Sequence, residues 1–493
     1  MGFTTTTFLY VFLPLSLGAY YLFYKGMRNK ENFVIGNIIL ILFSIVFYSW
    51  ALAASALFLL LDAGIVFLFG LFINRLRSIT VSIPYTVDQE KRTTEFHVAI
   101  IPTLVGIVAA VYLLYHFKYA STIAGFLSDY FYVDTNRYTN ITVPLGISFI
   151  TFSIISYFVD IYQGNATAGN LFDCLLYIFF FPKVVSGPII LWRDFQPQIK
   201  TRPVSTSEFV QGINRLIIGF AKKVILADTF GAFINNINGQ NIDAGTAWLS
   251  WICYALEIYY DFSGYSDIAI GVSEMVGFHF AENFNFPYRS LSITEFWRRW
   301  HISLGNFFKN YIYFPLGGNR KGKNRTLVNL AVVFAVTGIW HGAGAAYIIW
   351  GAIHGCCVVI ERVIRDKEWY KKIPSFFKWI VTFIISATAW QLFRFGSLRN
   401  TATWFFSLFG KYDYSLIPMT WEYYLDARLI TFIVIGFIGA TLLGNQKLKD
   451  FYKAMNGKAW FYILKEAVLI ILLLVSVAFM INSTYSPFIY FQF

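Results

Sequence analysis

The chain has six histidines, His97, His116, His279, His301, His341 and His354, and two of them stand where an imidazole can do chemistry. His341 lies in Thr337-Gly338-Ile339-Trp340-His341-Gly342-Ala343-Gly344, where it ends one apolar run and opens another. The flanking glycines permit a helix break or a close approach of backbones. A neutral imidazole in a largely apolar, partly wet site can take the proton of a hydroxyl near neutral pH, as a general base does. The competing reading is a hydrogen-bonded histidine that only joins packed helices. Ionisable groups at membrane depth are costly, which weighs toward function.

His301 closes Ser292-Ile293-Thr294-Glu295-Phe296-Trp297-Arg298-Arg299-Trp300-His301-Ile302-Ser303-Leu304. Ser292 and Glu295 have capping-box spacing, so a helix is expected to start there. Trp297, Trp300, His301 and Leu304 would then share one helical face, with Arg298 and Arg299 pointing elsewhere. An interfacial amphipathic helix explains the tryptophans and arginines but says less about the histidine. Carboxylates also interrupt apolar stretches, at Asp261 and Asp267 in Asp261-Phe262-Ser263-Gly264-Tyr265-Ser266-Asp267 and at Glu274; Asp160 and Lys183 are similar intrusions. Buried charges are normally paired, so a structural role suits them as well as a catalytic one.

The elements that position these residues must be membrane helices. Of 493 residues, 57% are hydrophobic and 13% charged, against about 25% charged in soluble proteins, too few to cover a wetted surface. The formal charge of +12 fits lysines and arginines held beside anionic headgroups on the cytoplasmic side; no RNA- or DNA-binding signature accompanies it. Cys174, Cys253, Cys356 and Cys357 lie in apolar stretches without metal-type spacing and read as small buried residues, so no metal is expected. The start, with no basic segment before its apolar run, reads as a retained first helix.

A span needs about 20 apolar residues. Candidate spans fall near 7–24, 33–53, 55–74, 97–117, 143–163, 171–191, 209–234, 246–262, 265–281, 326–341, 343–361, 375–394, 428–444 and 463–482. One polytopic membrane domain over 1–493 is expected. Lys25, Arg28 and Lys30 follow the first span and Arg75, Arg77, Lys91 and Arg92 the third, while the link Ala51–Ser55 and the tail Ser483–Phe493 carry no charge. That alternation places both termini outside the cytoplasm. Between Asn283 and Arg325 no full span exists. The short apolar piece Phe307–Leu316, followed by Gly317-Gly318-Asn319-Arg320-Lys321-Gly322-Lys323, suggests a re-entrant or interfacial element beside a wet cavity.

Four segments in this order resemble the bacterial branch of the membrane-bound O-acyltransferase superfamily, in its alginate O-acetyltransferase-like form. They are Asp261-Phe262-Ser263-Gly264-Tyr265-Ser266-Asp267, Phe296-Trp297-Arg298-Arg299-Trp300-His301, Tyr313-Phe314-Pro315-Leu316-Gly317-Gly318-Asn319 and Trp340-His341-Gly342; Pro182-Lys183-Val184-Val185-Ser186-Gly187-Pro188 also looks like a family segment. The motif-bearing core is about 140–362, with further helices over 363–493. The resemblance implies an all-α integral membrane protein: a multi-helix fold around a central tunnel, with re-entrant or interfacial helices, in the cell membrane. It implies that His341 is the catalytic histidine and His301 a second functional one. Trp297, Arg298, Arg299, Trp300, Asn319, Arg320, Trp340 and Asp261 become candidates for the donor site or tunnel wall. It also implies no bound cofactor, acetyl-CoA as acyl donor, a polysaccharide acceptor and an extracytoplasmic serine acetylesterase-like partner. Arg298, Arg299, Lys309, Arg320, Lys321 and Lys323 could meet the phosphates of coenzyme A, although the bias of basic residues to the cytoplasmic side explains them too. The rival readings are D-alanyl transfer to a cell-wall polymer, a transporter, and a non-catalytic scaffold of a polysaccharide export complex.

Overall fold

A computed structural model describes residues 2–24, 33–50, 53–87, 90–131, 141–202, 205–482 and 488. Lys25, Arg28 and Lys30, residues 51 and 52 of the uncharged link, and the tail 483–493 apart from Phe488 lie outside the described residues. Helices dominate, as the composition requires: in hydrocarbon every backbone polar group must be satisfied within the chain. Among the described residues six helices are long and apolar enough to cross a membrane: Ala56–Leu76, Ile100–Ser128, Ala345–Ile364, Ser375–Phe395, Ala427–Gly444 and Ala459–Asn482. The last of these leaves Ile463, Leu474 and Ile481 exposed, an apolar surface that lipid, not water, can cover.

The chain divides into two compact units, and the boundary falls within α9 and α11. The first unit holds α1 (Leu13–Tyr24), α2 (Phe33–Ser49), α3 (Ala53–Leu76), the strands β1 (Thr80–Val87) and β2 (Glu90–His97), α4 (Ile100–Leu114), α5 (Ala120–Phe131), α6 (Ile147–Tyr162), α7 (Leu171–Phe179), α8 (Trp192–Lys200) and the start of α9 (Thr206–Ala221). β1 and β2 pair antiparallel, from Thr80 opposite His97 to Val87 opposite Glu90. This hairpin was not expected from the sequence, although Val81, Ile83, Tyr85 and Val87 alternate at the period of a strand.

Two span readings are corrected. The expected span 171–191 ends at Phe179, because Pro182 and Pro188 cannot continue a helix. The loop that follows is buried and held by hydrogen bonds: Phe181 N–H donates to Ser44 Oγ (3.1 Å), and Tyr177 O–H to the Ile190 carbonyl (2.9 Å). Here Lys183 Nζ donates to Ser153 Oγ (2.7 Å) and lies 3.8 Å from the Tyr177 ring centre. Asp160 accepts from Arg193 N–H (3.0 Å). Both intruding charges are therefore structural. The expected spans 246–262 and 265–281 are one helix, α11 (Ala244–Met275), of 32 residues. At about 1.5 Å per residue it runs about 48 Å, longer than a hydrocarbon core.

The second unit holds the rest of α9, α10 (Asp228–Asn236), most of α11, α12 (Ile293–Arg299), α13 (Ile302–Phe308), α14 (Lys323–His341), α15 (Ala345–Ile364), α16 (Glu368–Lys372), α17 (Ser375–Phe395), α18 (Leu398–Ser407), α19 (Trp421–Tyr424), α20 (Ala427–Thr441), α21 (Gln446–Met455) and α22 (Ala459–Asn482). The cysteine reading holds for Cys174 and Cys253, but Cys356 is exposed on α15. α14 and α15 touch through glycine. A Cβ on Gly351 would stand 2.7 Å from the Phe334 carbonyl oxygen, and one on Gly338 2.8 Å from that of Tyr347. Small residues at such a crossing let two backbones meet, the usual device for joining helices in lipid.

Gly351→Ala forces that crossing apart by overpacking, which costs about 1–3 kcal/mol. Thermal unfolding of the purified protein in detergent should show a clear drop for Gly351→Ala. Gly18→Ala, whose added methyl meets nothing within 4 Å, should leave the midpoint unchanged or slightly raised.

Candidate active site

The glycine crossing fixes where His341 sits. His341 is the last residue of α14, and Gly342 turns the chain immediately after it. The imidazole is buried in an aromatic cage, with ring centres 4.7 Å from Trp340, 5.0 Å from Trp350 and 4.8 Å from Phe393. Trp350 belongs to α15 and Phe393 to α17, so three helices set the position of one ring. One turn beyond Trp350, on the same side of α15, stands His354, its ring centre 4.9 Å away.

α15 also anchors the segment that carries His301. Glu361 accepts from the backbone N–H groups of Ile293 (2.6 Å) and Thr294 (2.8 Å) and from the Thr294 hydroxyl (2.6 Å). A carboxylate on the first turn of a helix meets both the free N–H groups and the positive end of its dipole. The expected cap is present as well: Ser292 Oγ accepts from Glu295 N–H at 3.0 Å. From there Trp297 reaches α15, its indole N–H donating to His354 Nδ1 at 3.2 Å.

The expected single helical face does not form. α12 stops at Arg299, and His301 takes a left-handed backbone conformation with φ of 45° before α13 begins. The break is held by Asn283. Its carbonyl accepts from Ile302 N–H (2.9 Å), and its Oδ1 accepts from Ser303 N–H (3.2 Å) and the Ser303 hydroxyl (2.9 Å). The same Oδ1 lies 3.0 Å from His301 Nδ1. A backbone N–H can only donate, so the oxygen of the Asn283 amide must face this side. His301 Nδ1 therefore carries the hydrogen, and in the neutral ring Nε2 carries the lone pair. Burial pushes the imidazole down, to about 3. His301 is neutral across the physiological range, with its lone pair on Nε2.

An aromatic wall runs from the neighbour of His301 to His341. Trp300 packs on Trp390 at 4.6 Å, Trp390 on Trp350 at 5.8 Å, and Trp350 on His341. The structure thus brings Trp297, Trp300, Trp340 and His341 into one constellation, with His301 adjoining it through Trp300. The other candidates stand apart from it. Asp261 is buried beside Lys223 (2.8 Å), which also pairs with Asp228 (2.6 Å). Asp267 pairs with Arg215 (2.9 Å) and Lys222 (2.6 Å). Arg299 is engaged by Glu295 (2.8 Å) and by the Asn285 carbonyl. Asn319 and Arg320 lie in an exposed turn, tied down where Asn329 donates to the Gly318 carbonyl (2.8 Å), and Arg298 is exposed. Sequence reasoning missed Asn283, Trp350, His354 and Glu361. His354 was within reach, since a histidine one turn from a tryptophan in an apolar helix is an ionisable intrusion; the other three act through contacts distant in sequence.

Residues 85–397 match the family model "MBOAT, membrane-bound O-acyltransferase family". The chain belongs to that family. It is 34% identical to a probable alginate O-acetylase of Pseudomonas putida over the whole length of both chains. It is 31% identical to a peptidoglycan O-acetyltransferase of Helicobacter pylori, over 65% of this chain and 66% of that one. A teichoic acid D-alanyltransferase of Bacillus subtilis is 31% identical, over 57% of this chain and 70% of its own length. The match contains α12 to α15 and the whole of α17, and so every ring of the wall.

The lowered His301 value has a consequence for stability. As pH falls through about 6.5 the unfolded chain gains a proton on this ring while the folded chain does not, so stability is lost below that value. Lowering pH from 7 to 5 should therefore depress the unfolding midpoint of the natural protein more than that of His301→Asn, a substitute that tolerates the left-handed backbone. Parallel melting curves in detergent at the two pH values measure the difference.

Proposed function

We propose that the protein is an O-acetyltransferase of the cytoplasmic membrane. It takes acetyl from acetyl-CoA on the cytoplasmic side and delivers it, through a central tunnel, to an extracytoplasmic polysaccharide or to the serine of an esterase-like partner. The observation that carries this reading is His341, placed by the α14–α15 crossing within an aromatic cage inside the family-matched segment. In the proposed reaction His341 takes the proton of the acceptor hydroxyl as its oxygen bonds to the acyl carbon. The carbon–sulfur bond then breaks, and the leaving thiolate receives that proton. His301, whose Nε2 is an acceptor, serves to hold a donor group of the substrate. Acetyl transfer is favoured over D-alanyl transfer because the alginate-type relative matches along the full chain and the teichoic acid enzyme along little more than half. The loop charges support both termini outside.

Transfer of radiolabelled acetyl by purified protein tests the assignment. His341→Ala should reduce transfer at least ~100-fold, the scale of general-base loss, with normal yield and elution. His97→Ala and His116→Ala should stay near the natural rate. Transfer by His341→Ala at the natural rate would remove the base from the scheme.

The exposed cations Arg298, Arg320 and Lys323 are proposed to draw in the coenzyme A phosphates. Reversing all three charges should raise the apparent KM for acetyl-CoA while leaving that for the acceptor unchanged. The donor KM of the natural protein should fall as ionic strength is lowered, because screening weakens exposed attractions. An unaltered donor KM in the folded triple variant assigns these charges to topology and lipid contact.

A further inference from the structure

Among the described residues, two N–H groups of α15, one beside His341 and one a turn further on, are buried without an acceptor. Trp350 and His354 are both wholly buried, and among the described residues neither Trp350 Nε1 nor His354 Nε2 has a hydrogen-bond partner. The protonation of His354 is fixed by its other nitrogen. Trp297 Nε1 can only donate, so His354 Nδ1, 3.2 Å away, must hold the lone pair, and Nε2 must carry the hydrogen. The two histidines of the constellation are thus opposite tautomers: His301 offers an acceptor and His354 a donor. Each buried donor left without a partner destabilises the folded chain, and native proteins leave few such groups without a use.

Their placement indicates the ligand. Trp350 and His354 are one turn apart on one side of α15, ring centres 4.9 Å apart, and Trp350 is 5.0 Å from His341. Two fixed donors beside a base call for an oxygen that accepts, and most of all for one that becomes negative. We propose that Trp350 Nε1–H and His354 Nε2–H receive the carbonyl oxygen of the acyl donor and stabilise the charge that forms on it. This rests on the acyl-transfer reading above. As the acceptor oxygen bonds to the acyl carbon, the carbonyl π pair moves onto oxygen, where the two N–H groups meet it. When the pair returns, the carbon–sulfur bond breaks, and the thiolate leaves with the proton first taken from the hydroxyl. Donors already in place at a dry site stabilise such an oxyanion without reorganisation.

The test uses the full chain in detergent and two unreactive coenzyme A analogues. One is the ketone in which methylene replaces the sulfur of acetyl-CoA; the other is the matched alkyl compound in which the C=O is also methylene. The natural protein should bind the ketone about fivefold or more tightly than the alkyl compound, as one to two hydrogen bonds allow. Trp350→Phe and His354→Ala should each shrink that ratio and together bring it to one, with alkyl binding unchanged. His354→Gln, which keeps a donor, should retain part of it. A ratio that survives in the double variant, or variants that weaken both ligands equally, would overturn the proposal and leave the two side chains as packing. If the natural protein binds neither analogue, the coenzyme A reading itself falls, and this inference with it.

Discussion

The constraint on which this structure depends is that polar groups buried in it must be satisfied within the chain. A polar group that leaves water for a helix bundle must find its partner in the chain. The second unit satisfies this repeatedly. Lys223 holds Asp228 and Asp261 together, Arg215 binds Asp267 and Glu282, and Lys222 adds a second cation to Asp267. Asn283 spends its whole amide on Ser266, His301 and Ser303. Other buried polar atoms of this unit, among them Trp390 Nε1 and the Gln391 amide, also lack a partner among the described residues; the N–H groups of Trp350 and His354 are set apart by their place on the helix that packs against His341.

The site is assembled by a short chain of causes. Glycines at 338 and 351 let two helices meet at backbone distance, which sets His341 beside Trp350. The same helix α15 extends to Glu361, whose carboxylate pins the start of α12. α12 in turn supplies Trp297 to His354 and delivers the chain to the break at His301. α15 thus sets the geometry on both sides, through a crossing at one end and a helix cap at the other. Because Trp297 and Asn283 each dictate which nitrogen of a histidine holds its hydrogen, the proton arrangement follows from the fold before any substrate arrives.

Much of this was legible in the sequence, and the limits are physical. Long apolar runs gave α3, α15, α17 and α22 because one period over 20 residues leaves little choice. The runs at 171–191 and 246–281 misled in opposite directions. In the first, prolines ended a helix that hydropathy alone would continue; in the second, two apolar runs form one helix, whose Asp261 and Asp267 are paired by Lys223, Arg215 and Lys222. His341 and the tryptophans were found because an ionisable group between apolar runs is conspicuous. The left-handed turn at His301 was not, since the Asn283 contacts that hold it join positions 18 to 20 residues apart. No local pattern encodes them.

That turn affects how position 301 should be studied. A left-handed backbone costs most L-residues about 1–2 kcal/mol, while glycine and asparagine adopt it readily. An alanine placed there loses the imidazole and also inherits the strain, so its phenotype mixes two losses. Asparagine and glycine remove the ring alone. The gap in stability between the alanine and glycine variants then becomes a gauge of the tension stored in the break between α12 and α13, read without any substrate.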